Sequence, residues 1–196
     1  MLLTDLQPYK IYLASKSPRR RELLAGMGVE FEVMSTDVEE TYDSSWSPEQ
    51  IVMHLSKLKL SPIDMAKYAP QTIFIACDTI VVVDGQIIGK PKDEEDARRM
   101  LRQLSGNTHT VYSGLTVATP VKTLTDFRAT EVVFDELSDE VIQYYIDTYK
   151  PFDKAGSYGV QEWIGYVGIR EMHGSYYNVM GLPTRLLWQM LSAISQ

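Results

Sequence analysis

One cysteine, Cys77, stands among 196 residues. An internal disulfide is therefore excluded, and this usage fits a reducing compartment. No run of about 18 apolar residues occurs, so no transmembrane helix is expected. The opening MLLTDLQPYKIYL has no basic start, long apolar run or small-residue cleavage site. A secretory signal peptide is not expected, and the expected location is cytoplasmic. Cations are in deficit: 19 Lys and Arg face 26 Asp and Glu, a net charge of −7. A general nucleic-acid binder carries a basic face, so the balance argues against that partner. The three histidines, His54, His109 and His173, are dispersed, with no zinc-ligand spacing among themselves or with Cys77. No Gly-x-Ser-x-Gly elbow is present, which leaves a serine-hydrolase triad unsupported. Internal repeats and low-complexity tracts are absent too.

What remains is an ordinary globular composition, 44% hydrophobic, in which strand and helix patterns alternate. That order predicts an α/β or mixed α+β class. Strands are expected at 10–14, 31–35, 72–83, 86–89, 108–119 and 122–134. Asp84-Gly85 supplies a hairpin turn between the third and fourth. Helices are expected at 18–26, from 48 onward, at 93–104, 138–149 and 183–194. Ser17-Pro18 and Ser47-Pro48 read as N-cap followed by first helical residue. Residues 151–160 read as a Gly-rich loop. The length suits one domain over 1–196 or two closely packed lobes.

An acidic chain that binds a polyphosphate must concentrate its few cations. Ser15-Lys16-Ser17-Pro18-Arg19-Arg20-Arg21 does so where a strand gives way to a helix. Free N–H groups and the positive dipole end make that junction an anion site. Arg19 and Arg20 point along different faces, so not all of these cations reach one ligand. Asp78 interrupts an apolar strand between Ile73-Phe74-Ile75 and Ile80-Val81-Val82-Val83. Such a carboxylate is costly to bury unless paired or metal-bound, which marks it as a general base, a metal ligand or both. The alternative is an aspartate satisfied by loop N–H groups. Glu39 or Glu40, in the acidic run after the second strand, could help Asp78 hold Mg²⁺. Lys59 lies one helical turn past Leu55 on the inner edge of the second helix. Gly89-Lys90-Pro91 fails the P-loop pattern, although Lys90 can still reach a phosphate from a strand end. Gln161, after the Gly-rich segment, carries a donor and an acceptor suited to a base edge. Cys77 reads as a small buried residue.

Taken together, Ala14-Ser15-Lys16-Ser17-Pro18-Arg19-Arg20-Arg21-Glu22-Leu23-Leu24 resembles the N-terminal signature of the Maf family of nucleoside triphosphate pyrophosphatases. Cys77-Asp78-Thr79-Ile80-Val81, Gly89-Lys90-Pro91, Leu104-Ser105-Gly106 with His109-Thr110-Val111, and Asp153-Lys154-Ala155-Gly156-Ser157-Tyr158-Gly159 are similar to its later motifs, in the same order. So is Gly174-Ser175-Tyr176 with Gly181-Leu182-Pro183. The resemblance implies an inosine triphosphate pyrophosphatase-like α/β fold, a mixed sheet with two lobes around a central cleft. It implies hydrolysis between the α- and β-phosphates with a divalent cation, Mg²⁺ or Mn²⁺. Asp78 falls at the family's proton acceptor and, with Glu40, is expected to hold the metal. Ser15, Arg19, Arg20, Lys59, Thr79, Lys90 and Gln161 are the expected substrate-binding residues. Arg20, Thr79 and Gln161 fall where the subgroup that prefers dTTP and UTP sets its base preference. Glu162-Trp163 departs from the small residues common after that glutamine. The resemblance leaves room for a homodimer. A rival from a different class is a nucleotide- or nucleic-acid-binding regulator of cell division, acting by septum inhibition with little catalysis.

Overall fold

A computed structural model of the chain describes residues 2–195. Among the described residues, β1 (Lys10–Leu13), β2 (Glu32–Val33), β3 (Thr72–Val83), β4 (Gln86–Ile88), β5 (Thr108–Ala118), β6 (Thr123–Phe134) and β7 (Ile169–His173) form one mixed sheet in the order β2-β1-β3-β5-β6-β7, with β4 on β3. The chain divides into two compact units. The first holds the chain up to Asp78, Ser113–Arg128 and the chain from Gly181 onward, and the second holds Thr79–Tyr112 and Ala129–Met180.

In the first unit β1 (Lys10–Leu13) runs parallel to β2 (Glu32–Val33) and to β3 (Thr72–Val83), and Leu13 pairs with Val33 and Ile75. Consecutive residues Ile73, Phe74, Ile75, Ala76 and Cys77 are all inaccessible. A strand buried at every position is covered on both faces, as parallel sheets require. The helices here are α1 (Pro18–Gly26), α2 (Pro48–Leu58) and α7 (Thr184–Ile194). Ser47 and Gln50 exchange side-chain-to-backbone bonds in a capping box that starts α2. Ile51, Val52 and Leu55 then bury one face of that helix.

In the second unit the end of β3 turns at Asp84-Gly85, both at positive φ, into antiparallel β4 (Gln86–Ile88). Two positive-φ residues give the turn whose twist matches a hairpin. Helix α3 (Glu94–Leu104) is capped by Asp93, whose side chain accepts from the Asp96 N–H. Its Ala97, Met100, Leu101 and Leu104 recur at helical spacing and are buried. They pack α3 against α4 (Asp139–Tyr149), whose buried face is Ile142, Tyr145 and Ile146. Short elements follow: α5 (Trp163–Val167), β7 (Ile169–His173), which is antiparallel to β6, and α6 (Tyr176–Met180). The long strands β5 (Thr108–Ala118) and β6 (Thr123–Phe134) contribute residues to both units.

The expected strands and helices are all present, with ends shifted by a residue or so, except that β2 shrinks to two residues. The sequence reading placed nothing at 161–182, where α5, β7 and α6 lie. It also treated 151–160 as loop throughout, whereas Ala155–Ser157 forms a 3-10 turn.

Gly114 of β5 shows how tightly α2 seats. A Cβ there would lie 2.1 Å from the Val52 carbonyl oxygen and 2.8 Å from the Met53 nitrogen. Backbone cannot yield as a flexible side chain can. Gly114→Ala is expected to destabilise the protein by about 3 kcal/mol, the upper range for overpacking. Urea unfolding of both proteins measures this, and a difference below about 0.5 kcal/mol would contradict so close a contact.

Candidate active site

The first unit holds six of the expected site residues: Ser15, Arg19, Arg20, Glu40, Lys59 and Asp78. Lys59 is the C-cap of α2, four residues past buried Leu55, so it leaves the helix on the inner face. Its side chain is only 13% exposed, and its Nζ lies 2.9 Å from Asp78 Oδ1. The same ammonium donates to Glu40, which arrives from the loop after β2. Glu40, not Glu39, therefore completes this pair of carboxylates.

Arg20 and Ser15 stand beside them. Arg20 Nε donates to the Gly181 carbonyl at 2.8 Å, and its Nη1 reaches Ser15 Oγ at 3.4 Å. The Ser17 N–H also donates to Ser15 Oγ, at 3.2 Å. Ser17 does occupy the N-cap of α1, but its hydroxyl makes no capping bond. The hydroxyl at this helix start that gathers donors is Ser15, two residues earlier. Arg19 is half-buried one residue before Arg20, about 100° round the helix from it. Lys16 is drawn off to Asp37, 2.6 Å away on the surface. Cys77 is buried, and its Sγ donates to the Gly181 carbonyl at 3.3 Å.

Burial pushes the Asp78 carboxyl up from its ordinary value, more than the Lys59 and Arg20 cations pull it down. Burial pulls the Lys59 ammonium down, but Asp78 and Glu40 outweigh it and leave it raised. The outcome is an unusually basic carboxylate beside a firmly protonated lysine. Among the described residues no group of three or more His, Cys, Asp and Glu side chains converges on a cation position. Two carboxylates converging on one ammonium nevertheless fit a hard divalent cation, which usually takes one or two carboxylates from a protein.

The remaining expected residues belong to the second unit. Thr79 follows Asp78 on β3 and is half-buried. Lys90 is exposed just after Gly89, whose carbonyl accepts from the Gly156 N–H at 3.0 Å. That bond ties the Lys90 segment to the Gly-rich loop. Gln161 lies beyond the loop, half-buried, with Oε1 buried and without a hydrogen-bond partner.

The sequence reading missed the side chains that lock this loop. Lys154 is buried between Asp153 Oδ1 at 2.7 Å and Glu162 Oε1 at 2.9 Å. Tyr145 Oη donates to Glu162 Oε2 and accepts from the Gly159 N–H at 3.0 Å. Tyr158 Oη lies 2.7 Å from His109 Nε2, and both rings stack edge-on against Phe134. The one available signal was Lys154 among small residues, since a buried lysine needs a carboxylate.

Comparison with known proteins follows the same outline. A family model described as Maf-like protein matches residues 10–194. A Phocaeicola vulgatus protein named dTTP/UTP pyrophosphatase is 47% identical over 194 residues, 98% of this chain and all of that one. A Porphyromonas gingivalis protein of the same name is 46% identical over 192 residues, 97% and 96% of the two chains. Among solved structures, the Staphylococcus aureus Ham1 protein aligns with a TM-score of 0.52 at 17% identity, over 94% of this chain and 98% of that one. At that identity the likeness concerns the fold.

His109 supplies a test of the loop's anchor. Burial lowers its pKa from 6.5 to about 4. Through that window the unfolded chain takes a proton that the folded protein refuses. Stability is therefore fully present above pH 6.5 and lost as pH falls towards 4, by about 1.4 kcal/mol per pH unit. His109→Gln removes this titration. Its stability deficit in urea unfolding should shrink as pH is lowered from about 7 to about 4.5. A deficit independent of pH would refute the assignment.

Proposed function

The chain belongs to the Maf-like protein family, and on that footing we propose that it hydrolyses dTTP and UTP to the nucleoside monophosphate and pyrophosphate. The observation that carries the reading is the Asp78–Lys59–Glu40 cluster beside Arg20 and Ser15 at the start of α1. The name shared by its relatives, dTTP/UTP pyrophosphatase, supports the substrate.

In this reading Ser15, Arg19 and Arg20 receive the triphosphate at the α1 N-terminus, where N–H groups and the dipole favour anions. Lys59, held protonated by two carboxylates, neutralises phosphate charge as it shifts in the transition state. Lys90, exposed and outside any ion pair among the described residues, adds a second cation. Asp78 takes a proton from water, whose oxygen bonds to the α-phosphorus while the bond from that phosphorus to the α–β bridging oxygen breaks. Pyrophosphate leaves with the electron pair. The raised proton affinity of Asp78 makes it a stronger base than an exposed carboxylate. A divalent cation, Mg²⁺ or Mn²⁺, held by Asp78 and Glu40 with phosphate oxygens, would supply further charge neutralisation. Thr79 and Gln161 contact the base.

The whole of 1–196 serves in this reading as one functional domain working in the cytoplasm, and a homodimer is compatible with it. No helix among the described residues is long and apolar enough to cross a membrane. The net charge of −7 gives a nucleic-acid-binding regulator of division nothing to stand on.

Asp78→Asn keeps the side chain's shape and removes the base. Pyrophosphate release from dTTP should fall about 10²–10⁴-fold, the usual worth of general base catalysis. Near-normal turnover in a folded variant would overturn the assignment.

A further inference from the structure

The Gly181 carbonyl oxygen meets two donors. Arg20 Nε–H donates to it at 2.8 Å. The Cys77 thiol, itself inaccessible, lies closer to this oxygen, at 3.3 Å, than to the Asp78 carbonyl at 3.9 Å. A carbonyl oxygen has two lone pairs, so it serves both donors at once. One bond ties it to α1 and the other to β3, one residue before Asp78.

The backbone that presents this oxygen is held on its far side. Gly181, Leu182 and Pro183 are all buried. Pro183 leads into α7, where the Leu187 N–H returns to the Pro183 carbonyl at 2.9 Å. Leu186, Leu187 and Leu191 bury one face of that helix. Gly181 itself has a φ of +113°. Glycine reaches that region freely, whereas a residue with a Cβ is strained there. Any other residue at 181 would relieve the strain by turning its peptide groups, and the carbonyl would swing with them.

Arg20 is the side chain that such a movement would release. A guanidinium is a planar fork. Its Nε is fixed by Gly181, and its Nη1 donates a longer bond, 3.4 Å, to Ser15 Oγ. Two fixed points in one plane set the direction of the whole fork. An arginine without such anchors gives up rotamer freedom when a ligand orders it, and binding is weakened by that loss. We propose that Gly181 is a positioning residue: its carbonyl sets the plane of the Arg20 guanidinium before the triphosphate arrives, and a glycine is required at 181 to present it. The proposal rests on the reading that Arg20 receives the triphosphate, and it deepens that reading.

Pyrophosphate release from UTP tests this as a double-mutant cycle of wild type, Gly181→Ala, Arg20→Ala and the double variant. Gly181→Ala should lower kcat/KM about thirtyfold in the wild-type background, chiefly through KM, and less than about threefold in the Arg20→Ala background. Equal losses in the two backgrounds would make Gly181 merely structural and overturn the proposal. The wild type carries a second test, which decides the matter if Gly181→Ala does not fold. The Arg20 Nε–H proton, assigned by NMR from its loss in Arg20→Lys, should exchange with water about tenfold more slowly than that of exposed Arg21. Exchange as fast as that of Arg21 would sink the proposal. Wild-type protein that releases no pyrophosphate, or Arg20→Ala with wild-type kcat/KM, would overturn the underlying reading instead, whatever the exchange rate.

Discussion

The buried contact between Asp78 and Lys59, 2.9 Å apart with side chains 11% and 13% exposed, is the constraint on which the rest of the first unit depends. Two charges drawn out of water forfeit several kcal/mol each, and their attraction returns that only with good geometry and further hydrogen bonds. The fold meets both conditions. Leu55 anchors the face of α2 from which Lys59 emerges, and β3 delivers Asp78 from a run that is fully buried. Glu40 gives the ammonium a second carboxylate. An apolar pair of equal volume would be as stable or more so. The arrangement is thus better understood as a device for handling charge than as a contribution to stability.

That balance has a chemical consequence. Burial raises the proton affinity of Asp78 although two cations oppose it, while Lys59 remains protonated. The two groups keep opposite charges at neutral pH in the same small volume. One can accept a proton while the other attracts phosphate oxygens. Arg20 extends the same field: its Nε donates to the Gly181 carbonyl, and its guanidinium opposes the effect of burial on Asp78.

Much of this could be read from the residues because it depends on local pattern. Asp78 stood out as the one charge in an apolar run, and Lys59 fell on an inner face by counting from Leu55. Cap residues and the Asp84-Gly85 turn fixed where most elements begin and end. What stayed hidden was decided by partners distant in sequence. Glu39 and Glu40 are equivalent neighbours until Lys59, 19 positions after Glu40, selects between them. Ser17 has the better capping position, yet Ser15 gathers the hydrogen bonds through Arg20. The segment 161–182 gave no periodicity because α5, β7 and α6 are each five residues long. In β7 only Ile169 and Met172 are apolar, which breaks the alternation that marks a half-buried strand.

The second unit repeats the lysine-between-carboxylates motif with a different purpose. Lys154 sits between Asp153 and Glu162 as Lys59 sits between Glu40 and Asp78. The difference lies in what closes each cluster. Glu40 is 52% exposed and comes from a loop without regular structure, so an anion can compete with it for Lys59 at small cost. Glu162 is 18% exposed, and its other oxygen is held by Tyr145, a fully buried phenol whose pKa burial drives up. That phenol stays a neutral donor at any physiological pH. An open clamp suits exchange with a ligand, whereas a closed one suits holding a loop. The two clusters, alike in charge, differ in how much water reaches them.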